Sequence, residues 1–260
     1  MSELSQFWWT AAAFNEHDGY SVRRFGLFSA KHFLWLGIAV IVIALCVVLY
    51  RRLSHTGRKR MLIVVTALLI SDELLKYVAT AVTGQFEISY LPFHLCSINL
   101  FVCLANTIRP TKTAKNILYA LCLPGALIAL LVPTWTVYPM WNVMFLHSET
   151  IHILLVVYPC LLLFTGFKPD YRELPKVGAF LAGTAVVAVI INSIWDTNFL
   201  FLNGTAGNPV LRLCAEVFGD VYQIGLVIIL ALVWTLLYFP WGIYRIRRAA
   251  RLKKVMTAAA

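Results

Sequence analysis

Residues 32–60 read HFLWLGIAVIVIALCVVLYRRLSHTGRKR. No Asp, Glu, Lys or Arg occurs from 32 to 50, and Arg51, Arg52, Arg58, Lys59 and Arg60 then follow. A helix needs roughly 20 predominantly apolar residues to cross a hydrocarbon core. Lys and Arg accumulate in the cytoplasmic loops that flank such helices. The stretch therefore reads as a membrane helix running into a basic loop, and it sets the pattern for the rest of the chain.

The composition agrees. Of 260 residues, 60% are hydrophobic and only 13% charged, with mean hydropathy +0.78. A soluble domain carries roughly a quarter charged residues, so the solvent for this chain is lipid. Seven spans are expected, at 32–50, 61–82, 89–108, 115–135, 142–166, 176–198 and 220–244, with Pro124-Gly125 interrupting the fourth. The expected fold is an all-α bundle of about seven transmembrane helices. Residues 1–31 form an extracytoplasmic or interfacial segment, 32–244 the membrane domain and 245–260 a basic cytoplasmic tail. The start of the chain is acidic and aromatic, unlike a cleavable signal. Its Phe7-Trp8-Trp9 run suits a membrane interface.

The net charge of +10 does not indicate nucleic acid, because the cations lie in short runs between apolar segments. Arg109, Lys112 and Lys115, then Lys168, Arg172 and Lys176, then Arg245, Arg247, Arg248, Arg251, Lys253 and Lys254 fall on the same side as the 51–60 loop. The other side has Arg23, Arg24, Lys31 and Arg212. The expected orientation is N-terminus outside and C-terminus in the cytoplasm, with the basic tail meeting anionic lipid. Six cysteines lie mostly in apolar runs without a CxxC pair, so neither a disulfide framework nor a metal or cofactor motif is expected.

Polar groups gather in the middle and outer half of the expected bundle. Span two carries Asp72, Glu73 and Lys76, span three opens on His94 and Cys96, and span five holds His147 and His152. Span six and the following loop add Asn192, Asp196, Asn198 and Asn208. Ionisable groups at membrane depth face the protein interior or a water-filled cavity. Asp72 and Lys76, four residues apart, are expected to pair on one helix face, leaving Glu73 without a local partner. Cys46, Cys103, Cys122 and Cys160 read as packing residues.

Cys96 is the candidate nucleophile, since a thiol becomes reactive when an imidazole takes its proton. His94, two residues away on a helix, points to another face. A base from another span, His152, fits better. Asn99 lies one turn from Cys96 on the same face and could donate to an oxyanion.

Three stretches, LPFHLCSINLF, FLHSETIHILLVVYP and NSIWDTNFLFLNGTAGNP, resemble the bacterial YwaF-type integral membrane proteins. Those are related to the eukaryotic transmembrane protein 164 acyltransferases. The resemblance spans about 60–235 and implies an intramembrane acyl-transfer site, with Cys96 as nucleophile and His152, rather than His147, as general base. In the eukaryotic relatives the cysteine directly precedes a histidine, whereas here His94 precedes Cys96.

The resulting expectation is acyl transfer or hydrolysis on a phospholipid or related lipid through a cysteine acyl-enzyme. Cys96, His152 and Asn99 would do the chemistry. His94, His147, Asp196, Asn198, Glu73 and Asn208 would support it. The alternative is a transporter or small-molecule binding membrane protein that uses the intramembrane acids and histidines. Either would sit as a multi-pass protein in a bacterial cytoplasmic membrane.

Overall fold

The computed structural model describes residues 7–11, 13 and 26–258, and among them it has helices and no strand. We number the helices α1 (Ala30–Arg52), α2 (His55–Val82), α3 (Leu95–Ile108), α4 (Lys112–Leu131), α5 (Val143–Leu163), α6 (Leu174–Trp195), α7 (Pro209–Phe218) and α8 (Gln223–Ala258). Six segments are long and apolar enough to cross a membrane: α1, α3 with the turn before it, α4, α5, α6 with its leading turn, and Gln223–Arg248 of α8. The chain is thus a multi-pass integral membrane protein.

Helix α2 has the length, 28 residues, but carries Asp72, Glu73 and Lys76 in its second half. Its faces are inside out. Thr66, Glu73, Lys76 and Thr80 are buried, while Ile63, Val64, Leu68, Leu74, Leu75, Val78 and Val82 are exposed. In water that arrangement would be unstable; in lipid it is the expected one, because polar groups there must find partners inside the protein.

Side-chain pairs give the direction of each helix. Thr66 bonds Thr107, which bonds Tyr158, whereas Glu73 meets Ser97 and His147. Helix α2 therefore runs antiparallel to α3 and α5. Arg51 lies over the Phe164 ring, Lys168 bonds Tyr244, and Lys112 and Arg245 both reach Asp170. The cation-rich segments foreseen from the sequence thus meet at one end of the bundle, called here the basic end.

Asp170 anchors that end. Burial would raise its carboxyl, but hydrogen bonds from Lys112, from Arg245 and from the Arg172 backbone overcome burial and hold it at about 2. Its backbone N–H also donates to Asn116 Oδ1 at 2.9 Å.

Helix α5 is the axis. In its most apolar stretch 67% of residues are buried, and in α4 56%, against 11% in α1, 17% in α6 and 11% in α8. The last three turn most of their surface outward, toward lipid. Packing, rather than the hydrophobic effect, joins helices in lipid.

Two prolines sit inside this packing without breaking it. Pro124 has no N–H for Ala120 O, and its ring displaces that carbonyl. The chain loosens to a π-turn at Leu118–Cys122, where Leu123 N–H donates to Leu118 O. Trp234 Nε1 of α8 donates to Ala120 O at 3.0 Å. The expected interruption at Pro124-Gly125 is thus one widened turn within α4. Pro159 likewise strips Leu155 O, and Cys122 Sγ donates to it at 3.2 Å. Each freed carbonyl is answered by a neighbouring helix, and Cys122 is indeed a structural residue.

Helix α7 lies outside the seven expected spans. Asn208 caps its start by accepting from Val210 and Leu211 N–H. It packs on α8 so closely that a Cβ on Gly225 would lie 2.7 Å from Cys214 Sγ, so that position requires glycine. At this end the start of the chain also turns inward. Asn142 Nδ2 donates to Phe7 O and Trp9 O, and Trp9 is buried beside Trp135, Tyr138 and Phe145. Only Trp8 of the aromatic pair keeps the exposed position expected of an interfacial residue.

Candidate functional site

Glu73 is the hub of the polar centre. Its Oε1 accepts from Lys76 Nζ at 2.7 Å, Tyr77 OH at 2.8 Å and Ser97 Oγ at 3.2 Å. Its buried Oε2 makes no hydrogen bond, with His147 Nε2 at 3.7 Å. The pairing expected between Asp72 and Lys76 is not the one formed. Lys76 turns to Glu73, three residues away, because α5 delivers Thr150 Oγ1 at 3.0 Å and His147 Nδ1 at 3.3 Å to Asp72. His147 thus stands between two carboxylates. It does not cap α5; that task belongs to Asn142, which accepts from Met144 and Phe145 N–H.

His152 lies farther along α5. Its Nδ1 is 2.6 Å from Ser148 O. A carbonyl only accepts, so Nδ1 carries a proton, and in the neutral ring Nε2 is the nitrogen with the lone pair. The ring stacks on Trp135, with centroids 4.9 Å apart and planes 15° apart. Trp135 is fixed in turn by donating Nε1 to Glu149 Oε1 at 3.0 Å. Among the described residues His152 makes no hydrogen bond to Cys96. Its tautomer and tilt are set by Ser148 and Trp135, with no carboxylate on Nδ1.

Cys96 occupies the first turn of α3, and His94 is that helix's N-cap residue. As expected, His94 turns elsewhere: its ring packs against Phe199 and Phe201 at 5.1 and 5.5 Å and makes no capping hydrogen bond. The loop after α6 explains why. Asn192 Oδ1 accepts from Phe199 N–H and Thr197 Oγ1, and its Nδ2 donates to Phe199 O, which aims Phe199 at Phe93 and His94. Asn198 is consumed by the same loop, through Gly204 O and Asn203 N–H. Asp196 is an exposed left-handed C-cap of α6, and Asn208 is the cap of α7. These three polar residues serve the local backbone.

Asn99 is different. It is 1% exposed, its Oδ1 has no partner, and its Nδ2 donates to nothing among the described residues. Sequence reasoning missed Tyr77, Ser97, Thr150, Glu149 and Trp135. Two carried a signal: Ser97 adjoins Cys96, and Glu149 is a carboxylate three residues before His152 within an apolar span. No group of three or more metal-ligating side chains occurs among the described residues.

The arrangement supplies a thiol at a helix N-terminus, an imidazole held through its Nδ1 proton and a buried ion-pair hub, all in a lipid-surrounded bundle. No curated protein and no solved structure matches the chain. The family model described as TMEM164 family matches residues 27–238, and the chain belongs to that family.

Proposed function

We propose that this protein transfers or hydrolyses an acyl group of a membrane phospholipid through a thioester on Cys96, with His152 as general base. The observation that carries the reading is the 2.6 Å contact of His152 Nδ1 with Ser148 O. It leaves Nε2 as the basic nitrogen of a ring held flat by Trp135. Proton transfer by a positioned imidazole contributes about 10²–10⁴-fold.

The steps balance. His152 Nε2 takes the Cys96 proton, and the thiolate adds to the ester carbonyl carbon. The tetrahedral adduct collapses with cleavage of the C–O bond, and the leaving alkoxide recovers the proton from His152. A second hydroxyl, of a lysolipid or water, gives its proton to His152 and attacks the thioester, which releases the thiol. We place the basic end in the cytoplasm of a bacterial cell, so that the tail beyond Tyr244 meets anionic lipid; a C-terminal reporter enzyme active only in the cytoplasm is expected to function.

The test is mass spectrometry of the purified protein after incubation with phospholipid. A hydroxylamine-labile acyl mass on the Cys96 peptide is expected, lost in Cys96→Ala and formed at least about 100-fold more slowly in His152→Ala. An unmodified wild-type Cys96 overturns the mechanism. The Asp72–His147–Glu73–Lys76 cluster, buried except for the half-buried Asp72, supports a second reading, a proton-linked transport or binding site. That reading requires flux or binding that survives Cys96→Ala and is lost in Glu73→Gln.

A further inference from the structure

The first turn of α3 is uncapped. The N–H groups of Leu95 and Cys96 donate to no backbone or side-chain acceptor, the Ser97 N–H is directed at the Cys96 sulfur, and the first backbone bond of the helix is Ile98 N–H to His94 O. Helix N-termini usually fill such positions with Ser, Thr, Asp or Asn. Here the cap position holds His94, and the Asn192-anchored loop draws its ring onto Phe199 and Phe201. The amides are left without an oxygen acceptor at the residue proposed to attack the carbonyl.

A second, independent observation points to a ligand at the same place. Asn99 is almost fully buried and makes no hydrogen bond. A buried, unpaired amide costs about 1–3 kcal/mol. Side chains on a helix lean toward its N-terminus, and residues three apart share a face. Asn99 therefore leans from one turn below toward the turn that holds Cys96. The nearest negative charge, Glu73, is engaged by Lys76, Tyr77 and Ser97 Oγ. It thus leaves the backbone N–H groups to another acceptor.

We propose that the N-terminus of α3 is an oxyanion hole: the backbone N–H groups of Cys96 and Ser97, joined by the Asn99 side-chain amide, receive the acyl carbonyl oxygen. The inference rests on the acyl-transfer reading. As the thiolate adds, the carbonyl π electrons move onto that oxygen. The three donors stabilise the charge without giving up a proton, and the positive end of the helix dipole adds to them. His94 acts by absence, since a capping side chain there would occupy the hole.

The experiment measures the rate of Cys96 acylation in the full chain. Ser97→Pro removes one N–H in the first helical turn, where proline is tolerated. Ser97→Ala keeps the N–H and loses only the hydroxyl. Acylation is expected to fall about 10²–10³-fold further in the proline variant than in the alanine variant, the cost of one lost oxyanion donor. His94→Ser supplies a cap and is expected to raise Tm while slowing acylation, a split that no purely structural role produces. If Ser97→Pro fails to fold, an α-hydroxy acid at position 97 replaces the N–H by oxygen and serves instead. Equal rates in the 97 variants, or a faster reaction in His94→Ser, overturn the hole while acylation of wild type still stands. Absence of any wild-type adduct overturns the underlying reading instead.

Discussion

At the scale of single residues, Glu73 and Lys76 show how much a buried charge depends on its neighbour. Both are almost completely buried, and their contact is 2.7 Å. Removing one partner of such a pair leaves an uncompensated charge, at a cost of about 3–5 kcal/mol. Glu73→Ala is therefore expected to lower the thermal midpoint in detergent by many degrees, and adding Lys76→Met in the same chain should recover most of the loss. The sequence placed these charges on one helix but mated Lys76 with Asp72. One helix viewed alone shows its own spacings, not the His147 and Thr150 side chains that α5 brings to Asp72. The same limit applies to Asn198 and Asn208, which look like site residues in a string of letters and are occupied by the turns around them. Cys96, Asn99 and His152 stand out in the sequence because each interrupts an apolar run with chemistry that lipid cannot satisfy.

At the scale of elements, the long apolar runs were legible within a few residues because the bilayer imposes their length. Helix α7 was not, since 10 residues fall far short of a span and its Asn-Pro start reads as loop. The widened turn in α4 was also hidden: Pro124 announces a disturbance but does not say which neighbour repairs it. Trp234 does so. Trp234→Phe leaves Ala120 O buried and unanswered and is expected to cost about 1–3 kcal/mol, read as a fall in Tm. In a Pro124→Ala background the carbonyl can regain a helical donor. There Trp234→Phe should cost much less, and this non-additivity distinguishes a repaired carbonyl from simple loss of ring packing.

At the scale of the whole molecule, Asp170 ties the basic end together, with Glu173 beside it accepting from Thr113 and Lys176. Asp170 receives Lys112 of α4 at 2.6 Å and Arg245 of α8 at 2.6 Å. Its carboxyl is held at about 2, below an ordinary value of 3.8. The group therefore stabilises the fold fully above the ordinary value and ceases to do so as pH falls through the folded one. Thermal scans of wild type are expected to lose stability between these two pH values. Asp170→Asn should start lower and show a flatter profile over the same window.

The axial position of α5 has one more consequence, which concerns the thickness of the bilayer. Membranes of different thickness act on a protein through the helices that touch lipid, which tilt or thin the surrounding layer to match. In this bundle those are α1, α3, α6 and α8, with the apolar face of α2, whereas α5 is wrapped by protein along most of its length. A thicker or thinner membrane thus strains those helices first, and reaches His147 and His152 on α5 only through the helices packed around it.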